Sequence, residues 1–177
     1  MSAPALSQDQ IIAACARHHC NVTAIQYSEL PSSTTEVAQY ILAHPKILLW
    51  LKTAPGEESI GHWNAIRREG MDIGWFSSYG MLPDGEKVAT PFASTVDGQN
   101  INKVARALHA LHNLGFRIHY SAVPLQQIGD GSTSCGVWCT LFLTARDRDF
   151  ERLEGRLAGL RNPEAYAFGV YKREFGN

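Results

Sequence analysis

The sequence lacks the features that would place the protein in or across a membrane. Its longest apolar stretch, residues 47–51, is far too short to span a bilayer. Its N-terminal residues 1–10 are small and polar, and they have neither the basic region nor the apolar region of a signal peptide. We therefore expect a soluble, intracellular protein that does not bind a membrane.

An excess of charge and a large number of cysteines are also absent. The formal net charge is −1, so the overall charge gives no support for nucleic-acid binding, although totals cannot reveal a local basic patch. The chain has only four cysteines, and in a reducing compartment we expect them to be free thiols. A length of 177 residues with 45% hydrophobic content predicts a single domain, residues 1–177, with one sizeable core.

The hydrophobic pattern predicts a helix, then a run of strands, then more helices, which favours an α+β domain. Predicted helices cover residues 7–16, 35–43, 100–114, 135–145 and 150–160. Predicted strands cover residues 22–27, 47–51, 61–67, 71–78 and 116–122, with a looser edge strand at residues 165–173. Residues 81–96 are predicted to be irregular, and long irregular segments in compact domains are often functional or mobile.

The first chemical motif is a loop of small residues that leads directly into Cys135, where a strongly apolar helix is predicted to begin. The positive end of a helix dipole favours the thiolate, which is the reactive form of cysteine. Gly136 removes side-chain bulk beside the thiol, and free backbone N–H groups there can face a developing oxyanion. An isolated Cys-Gly pair is more often a buried structural cysteine, so the motif needs a partner.

His62 is the candidate partner. It lies in a predicted strand next to a loop, and a thiol nucleophile needs an imidazole within hydrogen-bond reach to take its proton. The chain has seven histidines, so pairing one of them with Cys135 depends on the surrounding motifs.

Three stretches in fixed order carry those motifs: the pair His62-Trp63, residues 75–80, and the run from Gln126 to Cys139. In this order they resemble the adenovirus-protease and ubiquitin-like-protease superfamily of cysteine peptidases. The resemblance covers roughly residues 22–143, with weaker similarity at residues 25–31. It implies a papain-like protease architecture, in which a central mixed, twisted sheet carries the nucleophile helix against one face.

The resemblance also implies a role for each motif residue. Cys135 would be the nucleophile and His62 the general base, with a peptide or protein as substrate and no cofactor or metal. Gln127, or its neighbour Gln126, would donate an N–H to the oxyanion; the loop before the cysteine is a residue or two longer than in the family, so the choice stays open. Trp63 would pack beside the catalytic pair, and Trp63 and Gln126 are candidates for the substrate-binding wall.

One position departs from the family pattern. Where the family has Asp, Glu or Asn to orient the histidine, this chain has Ser77. The site could be a Cys-His dyad in which Ser77 or a water holds His62, another residue could substitute, or the site could be inactive. Asn64 shares a strand face with His62 and is both the leading substitute and a third candidate for the substrate-binding wall. Asp72 is disfavoured, because five residues along a strand from Ser77 it lies on the opposite face.

The compact size resembles the viral branch of the superfamily. We therefore predict a monomeric cysteine endopeptidase that processes viral precursors or polyproteins, in the virion or in the host cytoplasm or nucleus. The alternatives are a deubiquitinase or deSUMOylase effector, an acetyltransferase effector that uses the same residues with acetyl-CoA, and a non-catalytic peptide-binding module, which Ser77 favours. Some relatives are activated by a partner peptide or by nucleic acid, and the sequence leaves the need for an activator open.

Other polar residues have simpler interpretations. The cysteine spacings are too loose to favour a zinc site. His109 and His112, three apart on a predicted helix, are more typical of a solvated face than of a metal pair. The pair Arg67-Arg68 and the mixed-charge run at residues 146–156 are likewise predicted to be solvated.

Overall fold

The computed structural model describes residues 3–56, 60–129 and 132–176. The strands are β1 (Thr23–Gln26), β2 (Lys46–Lys52), β3 (Gly61–Glu69), β4 (Asp72–Ser77) and β5 (Arg117–Tyr120). The α-helices are α1 (Gln8–Arg17), α2 (Thr34–Ala43), α3 (Glu86–Ala89), α4 (Lys103–Asn113), α5 (Cys135–Thr144), α6 (Phe150–Ala158) and α7 (Pro163–Glu174). Short 3-10 helices cover Tyr27–Glu29 and Pro91–Thr95. In the described ranges, no helix is both long enough and apolar enough to cross a membrane.

The strands form a mixed sheet in the order β1-β2-β3-β4-β5. Strands β2, β3 and β4 are antiparallel neighbours, whereas β1 pairs with β2 and β5 pairs with β4 in parallel. The hairpin between β3 and β4 turns at Gly70, whose φ of 61° is a conformation that glycine adopts without steric penalty. The predicted α+β class with a mixed central sheet is therefore confirmed.

Helices cover both faces of the sheet. On one face, α1, α5 and α7 pack over a cluster that includes Phe76 and Trp138. On the other face, α2 and α4 cover a cluster that includes Leu49 and Ile73. Seven of the ten residues of α5 are buried, because the helix is apolar on all sides and lies directly against β3 and β4. Helix α5, which begins at Cys135, therefore packs against the centre of the sheet, as the sequence predicted.

The C-terminal segment corrects one prediction. Residues 165–173 were predicted to form an edge strand, but they lie in helix α7. The Asn162 side chain accepts a hydrogen bond from the Ala165 N–H, and Pro163 occupies the first turn, which are two signals of a helix start. Ala167 and Val170 are the buried residues of the helix, and their spacing of three is helical rather than alternating.

Arg67 corrects a second prediction, because it is buried rather than solvated. Its side chain is 1% exposed, and it donates to the Phe142 carbonyl at 3.1 Å and to the Asp147 carbonyl at 3.0 Å. It also pairs with Glu69 at 2.8 Å. Arg67 follows Ala65 by two residues and so projects from the sheet face that α5 covers. There its charge satisfies one carbonyl group in the last turn of α5 and one in the segment that follows the helix.

The segment between β4 and α4 is more ordered than the sequence predicted. It contains α3 and the 3-10 helix that Pro91 begins. Gln99 docks the segment on β2, because its carboxamide accepts from the Lys52 N–H and donates to the Lys52 carbonyl, both at 3.0 Å. The segment is thereby held against the end of the sheet where the candidate catalytic residues lie.

Candidate active site

Cys135 is the first residue of α5, as the sequence predicted, and it is a partly exposed residue. The backbone N–H groups of Trp63 and Gly136 donate to the sulfur, which favours the thiolate. Desolvation is the larger effect and raises the pKa of the thiol to about 11. The thiol is therefore protonated at neutral pH and needs a base, whereas the sequence had indicated that the helix terminus would favour the thiolate.

Contacts with α7 and with the N-terminal segment fix Ser134 and Thr133, the two residues directly before Cys135. Ser134 is fully buried and donates its hydroxyl proton to Glu164, in the first turn of α7, at 2.9 Å. Thr133 donates to the carbonyl oxygen of Ala3 at 2.6 Å. The role of Glu164 was missed because a strand, and not a helix, was predicted over residues 165–173, directly after it.

His62 is the second residue of β3, and its ring is 2% exposed and stacks on Tyr79 with the ring centroids 4.0 Å apart. Burial lowers the pKa of the imidazole to about 3, so the ring is neutral at rest. Ser78 Oγ lies 3.4 Å from Nε2 and donates its single proton to Gln126. Because Ser78 can then only accept at His62, the ring proton lies on Nε2, and Nδ1 is free to act as a base.

His62 and Cys135 line one cleft, which has a volume of about 290 Å³. They come together because α5 packs on β3, where the Cys135 sulfur accepts from the backbone of Trp63, the residue next to His62. Trp63, Tyr79 and Gln126 contribute other walls of the same cleft. The structure thus brings the predicted nucleophile, base, tryptophan and one of the two glutamines to a single surface.

Gln126, rather than Gln127, is the glutamine that lines the cleft. The N–H groups of Leu125 and Gln126 both donate to the Ser78 carbonyl, at 2.8 and 3.1 Å, which fixes the backbone there. The Gln126 side-chain oxygen accepts from Ser78 at 2.7 Å, and its amide nitrogen donates to the Ser132 carbonyl at 3.3 Å. Gln126 is 5% exposed, whereas Gln127 is exposed.

Ser77 and Asn64 pair directly across β3 and β4 and share the sheet face of His62. Both side chains contact Glu86. Ser77 Oγ gives its proton to Glu86 Oε1 at 2.5 Å, and Asn64 Nδ2 lies 3.5 Å from Glu86 Oε2. Asp72 lies at the far end of β4, where it pairs with two basic side chains of β5.

An acidic residue that the sequence analysis did not name lies beside His62. Glu86 is the first residue of α3, and its Oε1 is 3.7 Å from His62 Nε2. The side chain is 4% exposed. Burial raises the pKa of the carboxyl to about 7, although hydrogen bonds from Ser77 and Asn64 act in the opposite direction. The only sequence signal was an acid nine positions after Ser77, within a segment whose length alone suggested a function.

A more open groove continues from the cleft. The Trp63 indole N–H donates to the Leu6 carbonyl at 3.1 Å, and the Trp63 and Trp50 ring centroids are 4.5 Å apart. Leu6, Trp50 and Trp63 line both the cleft and the groove, which has a volume of about 420 Å³. Together the two spaces form a mostly apolar channel that leads to the thiol.

The described residues do not form a metal centre. Among residues 3–56, 60–129 and 132–176, no group of three or more His, Cys, Asp or Glu side chains is arranged to hold a metal ion. No protein-family model matches the chain, and no curated protein matches it either. The functional conclusion therefore depends on the geometry of the cleft and on the resemblance of its motifs.

Proposed function

We propose that the chain is a cysteine endopeptidase of the adenovirus-protease and ubiquitin-like-protease type, with a papain-like architecture. The observation that carries the proposal is the position of Cys135 at the start of α5, in one cleft with His62 and Gln126. A thiol, a neutral imidazole and an amide donor are the groups that acyl transfer through a thioester requires. The mixed sheet with α5 against its centre supports the same architecture.

The first half of the reaction forms the acyl-enzyme. His62 Nδ1 takes the proton of the Cys135 thiol, and the thiolate sulfur attacks the scissile carbonyl carbon. Gln126 Nε2 and the backbone N–H of Cys135 donate to the oxyanion. The imidazolium then gives its proton to the leaving amine, the C–N bond breaks, and a thioester remains on Cys135.

The second half releases the product. The neutral His62 takes a proton from a water molecule, whose oxygen attacks the thioester carbonyl carbon. The same donors stabilise the second oxyanion. The C–S bond breaks, the acid product leaves, and the sulfur takes back a proton from His62. Because the pKa of the thiol is about 11, the first half needs His62 as a base, and in the second half the departing sulfur needs the imidazolium as an acid.

The channel formed by the cleft and the groove fits an extended polypeptide. Its walls at Leu6, Trp50 and Trp63 are apolar, and such walls bind a substrate through side-chain burial near the scissile bond. The leading substrates are viral precursors or polyproteins, because the compact chain resembles the viral branch of the superfamily. Protein substrates with a ubiquitin-like C-terminus are the alternative that a substrate panel separates.

A thiol assay tests the catalytic pair without a known substrate. Limiting iodoacetamide at pH 8, followed by peptide mapping, ranks the reactivity of the four cysteines. We expect Cys135 to react fastest and His62→Ala to remove that preference. Equal reactivity of Cys135 and the fully buried Cys139 would contradict the proposal.

A substrate panel tests the reaction itself. The panel contains a proteome-derived peptide library and fluorogenic ubiquitin and SUMO substrates, and Cys135→Ala is the control. Cleavage of library peptides alone supports an endopeptidase, whereas cleavage of the ubiquitin-like substrates alone supports the alternative. A Cys135 that is no more reactive than the other cysteines and cleaves neither would favour a peptide-binding module, which the high thiol pKa and Ser77 also suit.

A further inference from the structure

We infer that Glu86 is the positioning residue that orients His62 and stabilises its charged form, and that it does so from helix α3 instead of from the strand position Ser77. The inference deepens the proposed function and depends on it only for the identity of the reacting pair, Cys135 and His62. Of the three explanations that the sequence left open for the missing acid, it takes the second, that another residue substitutes, and assigns Glu86 instead of Asn64 to that role.

The geometry of Ser77 and Glu86 indicates one coupled arrangement. Ser77 is fully buried in β4, and its hydroxyl donates to Glu86 Oε1 at 2.5 Å. An acid at position 77 would face the Glu86 carboxylate at close range, and two carboxylates that share a site cannot both ionise easily. A hydroxyl there is instead a donor that fixes the second acid. Glu86 Oε1 is then 3.7 Å from His62 Nε2, the nitrogen that carries the proton in the neutral ring.

The turn that carries Glu86 is anchored on its other side. Asp84 and Lys87 pair at 2.8 Å, and both bind the hydroxyl of Tyr27, with Lys87 Nζ at 2.7 Å from it. Asp84 also accepts from the Ala105 N–H in the first turn of α4, at 2.7 Å. Glu86 lines a small cavity together with Asp84 and Lys87, and its Oε1 lies 3.7 Å from His62 Nε2.

The electrostatics favour the reaction intermediate over the resting state. Glu86 receives hydrogen bonds from two neutral side chains, and the imidazole beside it is neutral at rest. Asp84, Lys87 and Tyr27 line a small cavity with Glu86, but the Lys87 ammonium is paired with Asp84 at 2.8 Å. The thiols of Cys135 and Cys139 also lie within range of the Glu86 charge, and both are protonated at rest. When His62 takes the proton of Cys135, the imidazolium becomes the cation that the buried carboxylate faces. An interaction that strengthens on the way to the transition state accelerates the reaction.

This arrangement has a pH signature. Burial places the pKa of Glu86 near 7, so the carboxyl takes up a proton as the pH falls through that value. The protonated acid no longer stabilises the imidazolium. The reactivity of Cys135 therefore falls on the acid side of about pH 7, before an ordinary glutamate would titrate.

The main test is the rate of Cys135 alkylation by iodoacetamide between pH 5 and pH 9 in Glu86→Gln, which keeps the shape of the side chain and removes its charge. We expect the rate at pH 8 to fall about tenfold or more and the limb near pH 7 to disappear. The alkylation rate of Cys139 is measured in the same samples and is expected to stay unchanged. Glu151→Gln, an exposed change on α6, is the matched control and is expected to keep the wild-type profile.

Two further variants test the mechanism, one by moving the carboxylate to another position and one by changing its pKa. Returning the carboxylate to the strand, with Ser77→Asp combined with Glu86→Gln, is expected to restore at least part of the alkylation rate at pH 8. Ser77→Ala keeps Glu86 but removes a hydrogen bond that lowers its pKa, so the acid limb is expected to move to higher pH.

The inference is overturned if Glu86→Gln keeps the wild-type profile within about twofold, or if Ser77→Ala leaves the acid limb unmoved. Should Glu86→Gln fail to fold, the Ser77→Ala profile decides alone. The outcome is separate from that of the proposed function. A limb that depends on Glu86, in a protein that cleaves no peptide, would keep this inference and reject the peptidase reaction.

Discussion

Asp84 and Glu86 are two residues apart, and both carboxylates are buried, but their surroundings are opposite. Asp84 pairs with the Lys87 ammonium at 2.8 Å, accepts from the Ala105 N–H at 2.7 Å and accepts from the Tyr27 hydroxyl. The contacts with Tyr27 and Ala105 join the segment before α4 to the rest of the fold. A buried charge with a counter-charge and two further donors is well satisfied.

Glu86 has no such compensation at rest. It accepts from the neutral side chains of Ser77 and Asn64, and His62 beside it is held neutral by burial. The raised pKa of the carboxyl expresses the free energy that this environment costs. The difference teaches that the paired acid stabilises the fold, whereas the acid without a cation is kept at the expense of stability, which is typical of functional sites.

The largest expected effect on stability comes from breaking the Asp84–Lys87 pair. Asp84→Asn leaves the Lys87 ammonium buried without its counter-charge, and we expect the free energy of unfolding to fall by about 3 kcal/mol or more. Urea denaturation at pH 7.5 measures the change. Glu151→Gln, an exposed change on α6, is the control and is expected to change stability by less than about 0.5 kcal/mol. A loss under about 1 kcal/mol for Asp84→Asn would mean that the two acids do not differ as proposed.

A substitution at Glu86 is expected to change the free energy of unfolding in the opposite direction, towards higher stability. Its pKa is about 7 in the folded state and 4.5 ordinarily, so the folded protein holds the extra proton between these values and loses stability as the pH rises through that window. At about 1.4 kcal/mol per pKa unit, ionisation of Glu86 costs about 3 kcal/mol above pH 7. We therefore expect Glu86→Gln to raise the free energy of unfolding at pH 8 by about 2 to 3 kcal/mol and to change it little near pH 4.5.

Stability measured across pH separates this prediction from a structural role. Urea denaturation of the wild type and of Glu86→Gln at pH 4.5, 6 and 8 gives the difference at each pH. A variant that is more stable at pH 8 but has a less reactive Cys135 fits a positioning acid. A variant that loses stability at all three values would show that Glu86 holds the fold together, as Asp84 does.

A double variant separates the contribution of the Asp84–Lys87 charge pair from that of the hydrogen bonds that Asp84 accepts. Asp84→Asn combined with Lys87→Met removes both charges, so no uncompensated ion remains buried. We expect the double variant to be about 1 to 2 kcal/mol less stable than the wild type, and more stable than Asp84→Asn alone. The same urea denaturation measures the wild type, the two single variants Asp84→Asn and Lys87→Met, and the double variant. Equal stability of the single and double variants would show that the loss comes from the Tyr27 and Ala105 hydrogen bonds instead of the charge pair.

The sequence predicted the features that local pattern determines. The apolar run after Cys135 gave a buried helix, alternation gave β3 and β4, and Gly70 marked the turn between them. The placement of the thiol at a helix start next to a strand that carries His62 followed from the order of those elements. These features depend on periodicity and on backbone preferences, which single residues and short runs express directly.

The missed features depend on contacts between distant segments. Small residues such as Ala165 and Ala167 alternate as well as they repeat every three, so the pattern could not separate a strand from α7. Arg67 was predicted to be solvated because its burial depends on the end of α5, which packs over it and is distant in the sequence. Glu86 reaches His62 only because a distant network fixes the turn before it, and no spacing in the sequence encodes that distance.

The smallest effect is expected from Tyr27→Phe, which tests whether the network that holds the turn also tunes the acid. The Tyr27 hydroxyl accepts from Lys87 Nζ and from the Lys103 N–H, each at 2.7 Å. Without it the Asp84–Lys87 pair remains, so we expect a loss of about 1 kcal/mol in the free energy of unfolding by urea denaturation. The acid limb of Cys135 alkylation is expected to stay at the wild-type pH, in contrast to Ser77→Ala. A shifted limb would mean that the network sets the pKa of Glu86, and the two buried acids would then act as one unit.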